Sequence, residues 1–246
     1  MGTISRKPTT SSEVQDYFNH YARLNDLTPK GRRLHWRYNR QIFAPFLPKN
    51  KKAKILDVGC AAGQFIEWLE QDLGYEDVRG IERDSRLASF AAECGIDRVE
   101  VCDLRAWSNP EMFDSIFLKD VLEHIPTGEH LDALRYLARK LSPDGCLVLR
   151  VPNANSTFAA RHRYIDATHF RSYTEHSLRS ELEQTGFSRI EIYGDDVWMP
   201  QSLKGVLRFW VKLLVRVFRR LEAAAEYGQE GLSMPLSLNL VAVARR

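Results

Sequence analysis

Five short runs of β-branched and apolar residues occupy the middle of the chain. They are KILDV (54–58), VRGIE (78–82), RVEVC (98–102), DSIFL (114–118) and CLVLRV (146–151). Between several of these runs, apolar residues recur at helical spacing, as in QFIEWLEQDL and GEHLDALRYLARKL. Strands that alternate with helices predict a parallel sheet with helices on both faces, which is a doubly wound α/β domain.

The segments on either side of these runs predict an N-terminal helical cap and two further strands. Residues 12–46 have the pattern of two helices, with a break near Thr28 and Pro29. Downstream, a helix over 176–187 that stops at Gly186 precedes SRIEIYGDD, and SLNLVAVARR closes the sequence. We therefore expect helices that cover the sheet before its first strand, and two strands after its last helix.

The remaining segments decide the domain organisation. Residues 1–11 are rich in Ser, Thr and Lys and predict a disordered tail. Residues 195–235 separate the two final strands and predict a basic, amphipathic helical insertion. No internal repeat or flexible linker interrupts the rest, and 246 residues with 44% apolar content suffice for one large core. We expect residues 12–246 to form a single domain.

Charge and cysteine usage limit the class of protein and its location. The net charge of +3 is too mild to identify a partner, and positive charge is concentrated in two acid-free segments, 30–54 and 203–221. The four cysteines are scattered without metal-ligand spacing, which favours reduced thiols in the cytoplasm. The sequence has no signal-peptide pattern and no membrane-spanning apolar run. We expect a cytoplasmic protein, with peripheral association to the inner face of the membrane left open.

The run ILDVGCAAGQF (55–65) carries the most specific chemical signal in the chain. A buried strand ends at Asp57, and Gly59, Ala61 and Gly63 then make a tight turn into a helix. Small residues in such a turn let the backbone approach a ligand, and the helix N-terminus offers unpaired N–H groups. The G-x-G-x-x-G pattern of dinucleotide-binding folds is absent. The turn predicts either a ligand site at the carboxyl ends of the strands or a purely structural glycine turn.

The spacing D-x-G-x-A-x-G in this run resembles motif I of the class I methyltransferases, which use S-adenosyl-L-methionine (SAM). Later segments resemble further motifs of that family in the same order. They are Glu82 after VRGI, the triplet Cys102–Asp103–Leu104, FDSIFLKDVLEHI (113–125) and LSPDGCLVLRVPN (141–153). The last segment departs from the family's L-x-P-G-G turn, because Asp144 replaces the first glycine. The resemblance covers roughly residues 54–153.

The resemblance implies a Rossmann-like, seven-stranded sheet whose final strand is antiparallel, with SAM as the cofactor. Glu82 would accept hydrogen bonds from ribose hydroxyls, and Asp103 from the adenine amino group, with Leu104 against the ring. The implied cofactor-binding residues are Asp57, Gly59, Cys60, Ala61, Gly63, Phe65, Glu82, Arg83, Asp103, Leu104, Lys119, Asp120 and Val121. His124, in V-L-E-H, is a candidate catalytic group near the methyl donor or acceptor.

The fourth motif narrows the class of methyl acceptor. It contains KDVL (119–122) rather than the D/N-P-P-aromatic tetrad of amino-directed DNA methyltransferases. The basic segments also lack stacking aromatics at a recognised nucleic-acid motif, so no nucleic-acid partner is expected. A metal-dependent catechol-type site needs a cluster of Asp and Asn, and only Asp120 offers itself there. We expect no metal.

The run RHRYIDATHFRSYT (161–174) follows the fifth strand, where acceptors commonly bind in this family. It resembles the D-x-T-H-x-R-x-[FY]-T segment of a methyltransferase subgroup associated with surface-polysaccharide biosynthesis. That resemblance implies a sugar hydroxyl as the acceptor, His169 as the catalytic base and Asp166 as its orienting partner. The implied substrate-binding residues are Arg163, Tyr164, Arg171 and Tyr173.

The same run also admits a structural interpretation. Thr174, followed by Glu175 and Ser177, has the pattern of a helix N-cap, and His169 would then only bond to the loop backbone. A metal site built on His162 and His169 is not expected, because their separation in a loop is no recognised ligand spacing. The other histidines are predicted to lie on the surface: His20, His35, His130 and His176.

The segment SLKGVLRFWVKLLVRVFRRL (202–221) combines a cationic stripe with apolar residues. Its cations recur every four residues, at Lys204, Arg208, Lys212, Arg216 and Arg220. Charge of a single sign on an apolar helix predicts a helix that lies in a membrane interface near anionic lipid. A lid helix packed on its own domain or on a dimer partner is the alternative.

Taken together, these features predict a SAM-dependent methyltransferase that acts on a sugar hydroxyl of a surface glycan or lipid-linked glycan. A quinone-type or other small-molecule O- or N-methyltransferase is one alternative, because its fourth motif is similar. A non-catalytic, nucleotide-binding partner protein held at a membrane by residues 202–221 is the other.

Overall fold

The computed structural model describes residues 11–196 and 203–246. Its α-helices are α1 (Ser11–Leu24), α2 (Pro29–Ile42), α3 (Gln64–Glu67), α4 (Ser85–Glu93), α5 (His130–Lys140), α6 (Ala159–Tyr164), α7 (Glu175–Glu183), α8 (Leu203–Tyr227) and α9 (Gln229–Ser233). Its strands are β1 (Lys54–Val58), β2 (Asp77–Glu82), β3 (Val99–Val101), β4 (Phe113–Lys119), β5 (Leu141–Pro152), β6 (Arg189–Gly194) and β7 (Asn239–Arg245). The predicted tail over 1–11 lies outside the described residues apart from Ser11, where α1 begins.

The described strands form a seven-stranded sheet in the order β3-β2-β1-β4-β5-β7-β6. Strand β1 pairs in parallel with β2 and β4, and β5 continues the parallel set beside β4. Strand β7 lies between β5 and β6 and runs antiparallel to both. This arrangement confirms the predicted doubly wound, Rossmann-like sheet with a final antiparallel strand.

Strand side chains alternate between two buried clusters, one on each face of the sheet. In β5, Leu147 belongs to the first cluster and Val148 to the second. Leu134 of α5 packs in the first cluster, whereas Ile42 of α2 and Phe65 of α3 pack in the second. Both faces of the strands are apolar because helices cover both, which explains the nearly continuous apolar runs in the sequence.

The predicted helix over 64–73 differs from its expected form. It is α-helical only in α3 and then continues as a π-helical turn over Trp68–Asp72. Within this turn, Nε1 of the fully buried Trp68 donates a hydrogen bond of 3.0 Å to Oδ2 of Asp72. The wider turn lets the indole ring stay in the core while its N–H group is satisfied.

Strand β5 is longer than the run CLVLRV predicted. It begins at Leu141 rather than at Cys146, and its pairing with β4 contains a register shift between Phe113 and Ser115. The shift lets Leu141 pair with Phe113 although a turn-like sequence, SPDG, follows Leu141. Such irregular pairing cannot be recognised from residue alternation.

The break between α1 and α2 lies where the sequence predicts it. Oγ1 of Thr28 caps α2 by accepting a hydrogen bond of 3.2 Å from the N–H group of Gly31. The buried guanidinium of Arg32 then attaches α2 to the loop region after β1, because it donates to the carbonyl oxygen of Ala62 and to Glu67, each at 2.8 Å. The two helices thereby cover the carboxyl ends of the central strands.

Helices α8 and α9 occupy the predicted insertion between β6 and β7. Arg216 of α8 forms an ion pair with Asp196, and Arg219 donates a hydrogen bond of 2.8 Å to the carbonyl oxygen of Asn155. These contacts attach α8 to the domain along one side. Among helices within 11–196 and 203–246, none is both long and apolar enough to cross a membrane.

Candidate active site

A cavity of about 760 Å³ opens at the carboxyl ends of the central strands. The strand order reverses there, on either side of β1, which is where open α/β sheets bind ligands. Helices α1 and α2 and the loop after α6 complete its walls. The predicted cofactor-binding residues that line it are Gly59, Cys60, Ala61, Phe65, Glu82, Arg83, Asp103, Leu104, Lys119, Asp120 and Val121. Asp57 and Gly63 lie behind this lining and shape it indirectly.

Left-handed backbone conformations shape the loop between β1 and α3. Gly59 (φ +67°), Ala61 (φ +48°) and Gly63 (φ +73°) all adopt them. A Cβ atom at Gly59 would lie 2.4 Å from Cγ2 of Val121, so glycine is required where the loop meets the end of β4. Alanine is strained in this conformation, and Ala61 is held there because its N–H group donates a hydrogen bond of 2.8 Å to Oε2 of Glu82.

Glu82 connects the loops that follow β1 and β2. Besides the bond from Ala61, its Oε1 accepts a hydrogen bond of 2.9 Å from the N–H group of Asp84. The side chain is buried, and burial raises the pKa of its carboxyl group although the two backbone donors oppose the shift. A carboxylate has about four acceptor positions, so both oxygens can still accept from ligand hydroxyls. Glu82 can therefore hold the loop and bind a diol at the same time.

A buried ion pair joins the ends of β1 and β4. Nζ of Lys119 lies 2.6 Å from Oδ1 of the fully buried Asp57 and 3.9 Å from the ring centroid of Phe65. Burial raises the pKa of Asp57, although the charge of Lys119 opposes the shift. Oδ2 of Asp57 has no hydrogen-bond partner within the described ranges. Asp57 thus positions Lys119, which lines the cavity, and does not itself contact the cavity.

Asp103 presents a carboxylate that Arg105 holds in place. Nε of Arg105 lies 2.8 Å from Oδ1 and Nη2 lies 2.6 Å from Oδ2. Hydrogen bonding from Arg105 lowers the pKa of Asp103 although burial opposes the shift. Cys102, Leu104 and Ile125 line the same cavity with apolar surface. The site therefore offers a hydrogen-bond acceptor near an apolar wall, a combination that suits an aromatic base with an amino group.

A polar network that the sequence motifs did not indicate connects α2 with β4, β5 and the end of β6. Asp120 (φ +54°) forms an ion pair with Arg150, whose Nε lies 2.8 Å from Oδ1. Arg150 also donates to the hydroxyl of Tyr38, which donates a hydrogen bond of 2.9 Å to Oδ2 of Asp195. Burial alone would raise the pKa of Asp120, but the charge of Arg150 lowers it. The available signal was Arg150 itself, a charged residue inside the apolar run CLVLRV.

Aromatic and histidine side chains of the N-terminal helices complete the cavity wall: Tyr17, His20, Tyr21, His35 and Tyr38. Tyr21 donates a hydrogen bond of 3.2 Å to Oε1 of Gln64. Nε2 of His20 lies 3.3 Å from Oδ2 of Asp166. His20 and His35, predicted as surface residues without a role, are partly exposed and line the cavity, because helix periodicity does not reveal which face covers a ligand site.

His124, from the segment after β4, and His169, from the loop after α6, meet at the cavity wall. Their ring centroids lie 4.5 Å apart in an edge-to-face arrangement. Nδ1 of His169 lies 2.7 Å from the carbonyl oxygen of His162. A carbonyl oxygen can only accept, so His169 carries its proton on Nδ1 and its Nε2 is an unprotonated acceptor when the ring is neutral.

The tautomer of His124 follows from a chain of hydrogen bonds. Oγ1 of Thr168 donates its single proton to Oδ1 of Asp166 at 2.7 Å, so it accepts from Nδ1 of His124, also at 2.7 Å. Burial, followed by the nearby His169 ring, lowers the pKa of His124 to about 4, so this imidazole is neutral near pH 7. Asp166 therefore orients His124 through Thr168, which corrects its predicted pairing with His169.

The structural interpretation of this loop is compatible with a chemical role for His169. Thr174 caps α7 in a capping box, in which its Oγ1 accepts a hydrogen bond of 3.2 Å from the N–H group of Ser177. His169 does bond to the loop backbone, but it uses Nδ1 to do so. Its other nitrogen remains available to a ligand in the cavity.

The residues predicted to bind substrate lie away from the cavity lining. Tyr173 is fully buried, and its hydroxyl oxygen lies 2.9 Å from Nδ1 of the buried His130. Tyr173 therefore packs in the core instead of binding substrate, and the predicted surface position of His130 is wrong. Arg171 forms an ion pair with α7, and the guanidinium of Arg163 lies 5.2 Å from the ring of the exposed Tyr164.

Comparison with known proteins relates the chain to methyltransferases. Residues 31–192 match a family model described as a methyltransferase domain. Trans-aconitate 2-methyltransferase of Rhizobium leguminosarum bv. trifolii is 30% identical over 109 residues, which are 44% of this chain and 41% of that protein. Ubiquinone biosynthesis O-methyltransferase of Yersinia enterocolitica is 28% identical over 112 residues, 42% of this chain and 44% of that protein. The chain thus matches less than half the length of these curated relatives.

Solved structures share the fold over nearly the whole chain. A SAM-dependent methyltransferase from Archaeoglobus fulgidus has a TM-score of 0.64 at 19% identity, covering 94% of this chain and 99% of that one. The DhpI–SAM–HEP complex has a TM-score of 0.59 at 13% identity, covering 98% of this chain and 100% of that one. At these identities the likeness shows the fold.

We expect the ion pair between Asp57 and Lys119 to contribute strongly to folding stability. Asp57→Ala leaves the largely buried ammonium group without its partner, which should lower the free energy of unfolding by about 3–5 kcal/mol. Urea denaturation followed by circular dichroism measures the loss. Asp103→Ala breaks the more exposed pair with Arg105 and is the matched control, with an expected loss below about 1 kcal/mol. Equal losses of unfolding free energy in the two variants would contradict a strong stabilising role for the pair of Asp57 and Lys119.

Proposed function

The chain belongs to the methyltransferase-domain family of SAM-dependent enzymes, and we propose that it O-methylates a hydrophilic, hydroxyl-bearing acceptor. The acceptor class that we assign is a sugar hydroxyl of a surface glycan or lipid-linked glycan. The observation that carries this proposal is the pair of imidazoles at the cavity wall, His124 and His169, each with Nδ1 engaged and Nε2 available. An alcohol holds its proton at neutral pH, so its methylation benefits from a positioned base.

The residues of the cavity fit SAM, which supplies an electrophilic methyl group on its sulfonium. Gln64 lines the cavity, and its buried Nε2 has no hydrogen-bond partner among the residues described, so a ligand oxygen would satisfy it. Glu82 would accept from the ribose hydroxyls. Asp103 would accept from the adenine amino group, with Leu104 beside the ring.

His169 is the base that we assign to this reaction. Methyl transfer requires the acceptor oxygen to lie in line with the methyl carbon and the sulfur, and such positioning is worth several kcal/mol. His169 is itself positioned, because its Nδ1–H group is bound to the backbone at His162. The pKa of His124, about 4, makes His124 a weak base at neutral pH.

The polar groups around the imidazoles favour a sugar over an apolar quinone ring. The ion pair of Asp120 and Arg150 lines the cavity together with His20 and Asp166. An apolar ring against these groups would displace water without replacing its hydrogen bonds, which is unfavourable. Sugar hydroxyls both donate and accept, so they can satisfy such a wall. A quinone-type acceptor remains the alternative that the assay below distinguishes.

Helix α8 supports a lipid-linked form of the acceptor. Its exposed large apolar side chains include Leu207, Trp210, Leu214 and Phe218, at 68%, 59%, 59% and 64% exposure. Exposed cations accompany them at Lys204, Arg208 and Lys212. Contiguous apolar surface of this kind marks an interaction site, and the cations favour an anionic bilayer over a neutral partner. We therefore assign the outer surface of α8 to the membrane.

The arginines on the other side of α8 are occupied by the domain. Arg220 donates a hydrogen bond of 2.7 Å to the carbonyl oxygen of Met234, and Arg216 and Arg219 make the contacts described above. These bonds keep the helix attached while its apolar residues face outward. The helix can therefore contact a bilayer without leaving the domain.

Glu82→Ala should weaken SAM binding by at least about tenfold, because it removes ligand hydrogen bonds and releases Ala61 from its strained conformation. Isothermal titration calorimetry measures the affinity, and the SAM-induced rise in melting temperature gives a second measure. Glu93→Ala, at an exposed acid of α4, is the matched control and should bind SAM like the parent protein. Unchanged affinity in Glu82→Ala would show that Glu82 has no part in the cofactor site.

Methyl-labelled SAM tests the acceptor class directly. We expect label to enter a lipid-linked glycan fraction, and acid hydrolysis to release an O-methyl sugar. His169→Ala should lower turnover by about 10²–10⁴-fold without changing SAM affinity, because it removes the base alone. His162→Ala is the control, since it keeps the carbonyl oxygen to which His169 bonds.

Two results would refute the proposal in different parts. Label in a quinone fraction alone would overturn the acceptor class. Full turnover by His169→Ala would overturn the role of His169 and leave the acceptor class standing.

The combined substitution Trp210→Ser, Leu214→Ser and Phe218→Ser should release the protein from vesicles that contain phosphatidylglycerol, because it removes the apolar contact. Co-sedimentation measures binding, and vesicles of phosphatidylcholine alone test the contribution of charge. Val101→Ser with Met112→Ser changes exposed apolar residues elsewhere and is the matched control. Equal sedimentation of the parent and the α8 variant would refute the membrane assignment.

A further inference from the structure

Three potential metal ligands lie close together beside the cavity, whose wall includes His124 and His169 but not the buried Glu123. One ligand atom from each of Glu123, His124 and His169 lies within 4.8 Å of the other two. Glu123 and His124 follow β4, whereas His169 comes from the loop after α6, so the fold brings them together. We propose that these three side chains bind a divalent transition-metal ion, in place of the absence of metal expected from the sequence.

The two imidazoles are oriented as metal ligands usually are. The Nδ1–H groups of His169 and His124 are bound by the carbonyl oxygen of His162 and the hydroxyl oxygen of Thr168, which leaves Nε2 of each ring for an ion. Metal-binding histidines characteristically donate their other N–H group to such a partner, which fixes the tautomer and the ring orientation. Asp166 supports the orientation of His124, because its carboxylate accepts a hydrogen bond from the Thr168 hydroxyl to which His124 donates.

Glu123 is the independent observation that points to a cation. Its side chain is 1% exposed, and its Oε2 has no hydrogen-bond partner in the part of the chain that the structure describes. A buried polar atom without a partner is costly, and native structures seldom retain one without a reason. A cation bound beside this oxygen would supply the missing partner.

The set of donor atoms selects the class of ion. Two imidazole nitrogens and one carboxylate oxygen match the ligand set of catalytic zinc sites, which leave a further position for water or substrate. Bonds of about 2.0–2.2 Å place tetrahedral ligand atoms roughly 3–3.5 Å apart, so small side-chain rotations would close the present separations. Imidazole ligands favour Zn²⁺ or Co²⁺ over Mg²⁺ and Ca²⁺, which prefer oxygen.

The consequence for catalysis rests on the proposed hydroxyl acceptor. His124 and His169 line the cavity, so an ion held by their imidazoles would be accessible to an acceptor bound there. A hydroxyl oxygen in that position loses its proton more readily, because the ion stabilises the negative oxygen. With an ion bound, Nε2 of His169 would be a ligand and no longer the base, and the hydroxyl proton would leave to solvent water.

Cobalt binding tests the site without reference to activity. The full chain is freed of metal with a chelator, dialysed and titrated with Co²⁺, while calorimetry and visible d–d absorption are recorded. We expect one Co²⁺ per chain, an absorption spectrum of nitrogen and oxygen ligation, and displacement by Zn²⁺. Glu123→Gln, which keeps the shape of the side chain, and His169→Ala should each lower the Co²⁺ affinity by at least about tenfold.

Two controls separate this site from other histidines. His162→Ala keeps the backbone carbonyl that orients His169 and should bind Co²⁺ normally. His176→Ala removes the histidine of a second, more exposed group with Glu175 and Glu230, and should also have no effect. Circular dichroism checks that each variant is folded. The proposal would be overturned by no Co²⁺ binding in the parent protein, by parent-like Co²⁺ affinity in Glu123→Gln and His169→Ala, or by loss of binding in His176→Ala alone.

The labelling assay distinguishes failure of this inference from failure of the proposed function. Absence of Co²⁺ binding together with full-rate O-methylation by the metal-free protein would remove the metal site and leave the acceptor class intact. Co²⁺ binding at Glu123, His124 and His169 with no O-methyl product from any hydroxyl acceptor would remove the acceptor class and leave the metal site intact.

Discussion

The buried ion pair between Asp57 and Lys119 is the constraint on which the cavity depends. The sheet order reverses at β1, so the loops after β1 and β4 diverge at their carboxyl ends and leave a crevice. The 2.6 Å contact between Asp57 and Lys119 joins these two ends, and Gly59 packs against Val121 beside it. Because a buried charge without its partner is strongly destabilising, the pair restricts both loops at once.

Hydrogen bonds between side chains attach α2 and the loop after α6 to the segment that follows β4. Arg150 connects the Asp120 carboxylate after β4 with Tyr38 of α2, and Thr168 connects Asp166 with His124. The second connection fixes the proton of His124, and the carbonyl oxygen of His162 fixes that of His169, so together they decide what the site can do. Unprotonated Nε2 atoms serve either a base or a metal ion, and both promote the same event, the loss of a proton from an acceptor hydroxyl.

Much of the architecture could be predicted from the sequence because it depends on local patterns. A nearly continuous apolar run records that both faces of a strand are covered, so the seven strands and the α/β class followed from short runs of residues. The turn after β1 was recognisable for a similar reason, since Gly59 and Gly63 stand where left-handed backbone is required. The break at Thr28 followed from a capping residue before a proline, again within a few positions.

The sequence by itself thus determined the fold class, the order of the strands along the chain and the place of the ligand site. Only the tertiary structure decided which side chains meet in that site. Tyr173 and His169 belong to one short run, yet the first enters the core and the second reaches the cavity. Glu123 likewise lies near His169, and Arg150 near Tyr38, only because the fold brings distant segments together. Contacts between distant segments depend on loop conformation and packing, and residue spacing along the chain encodes neither.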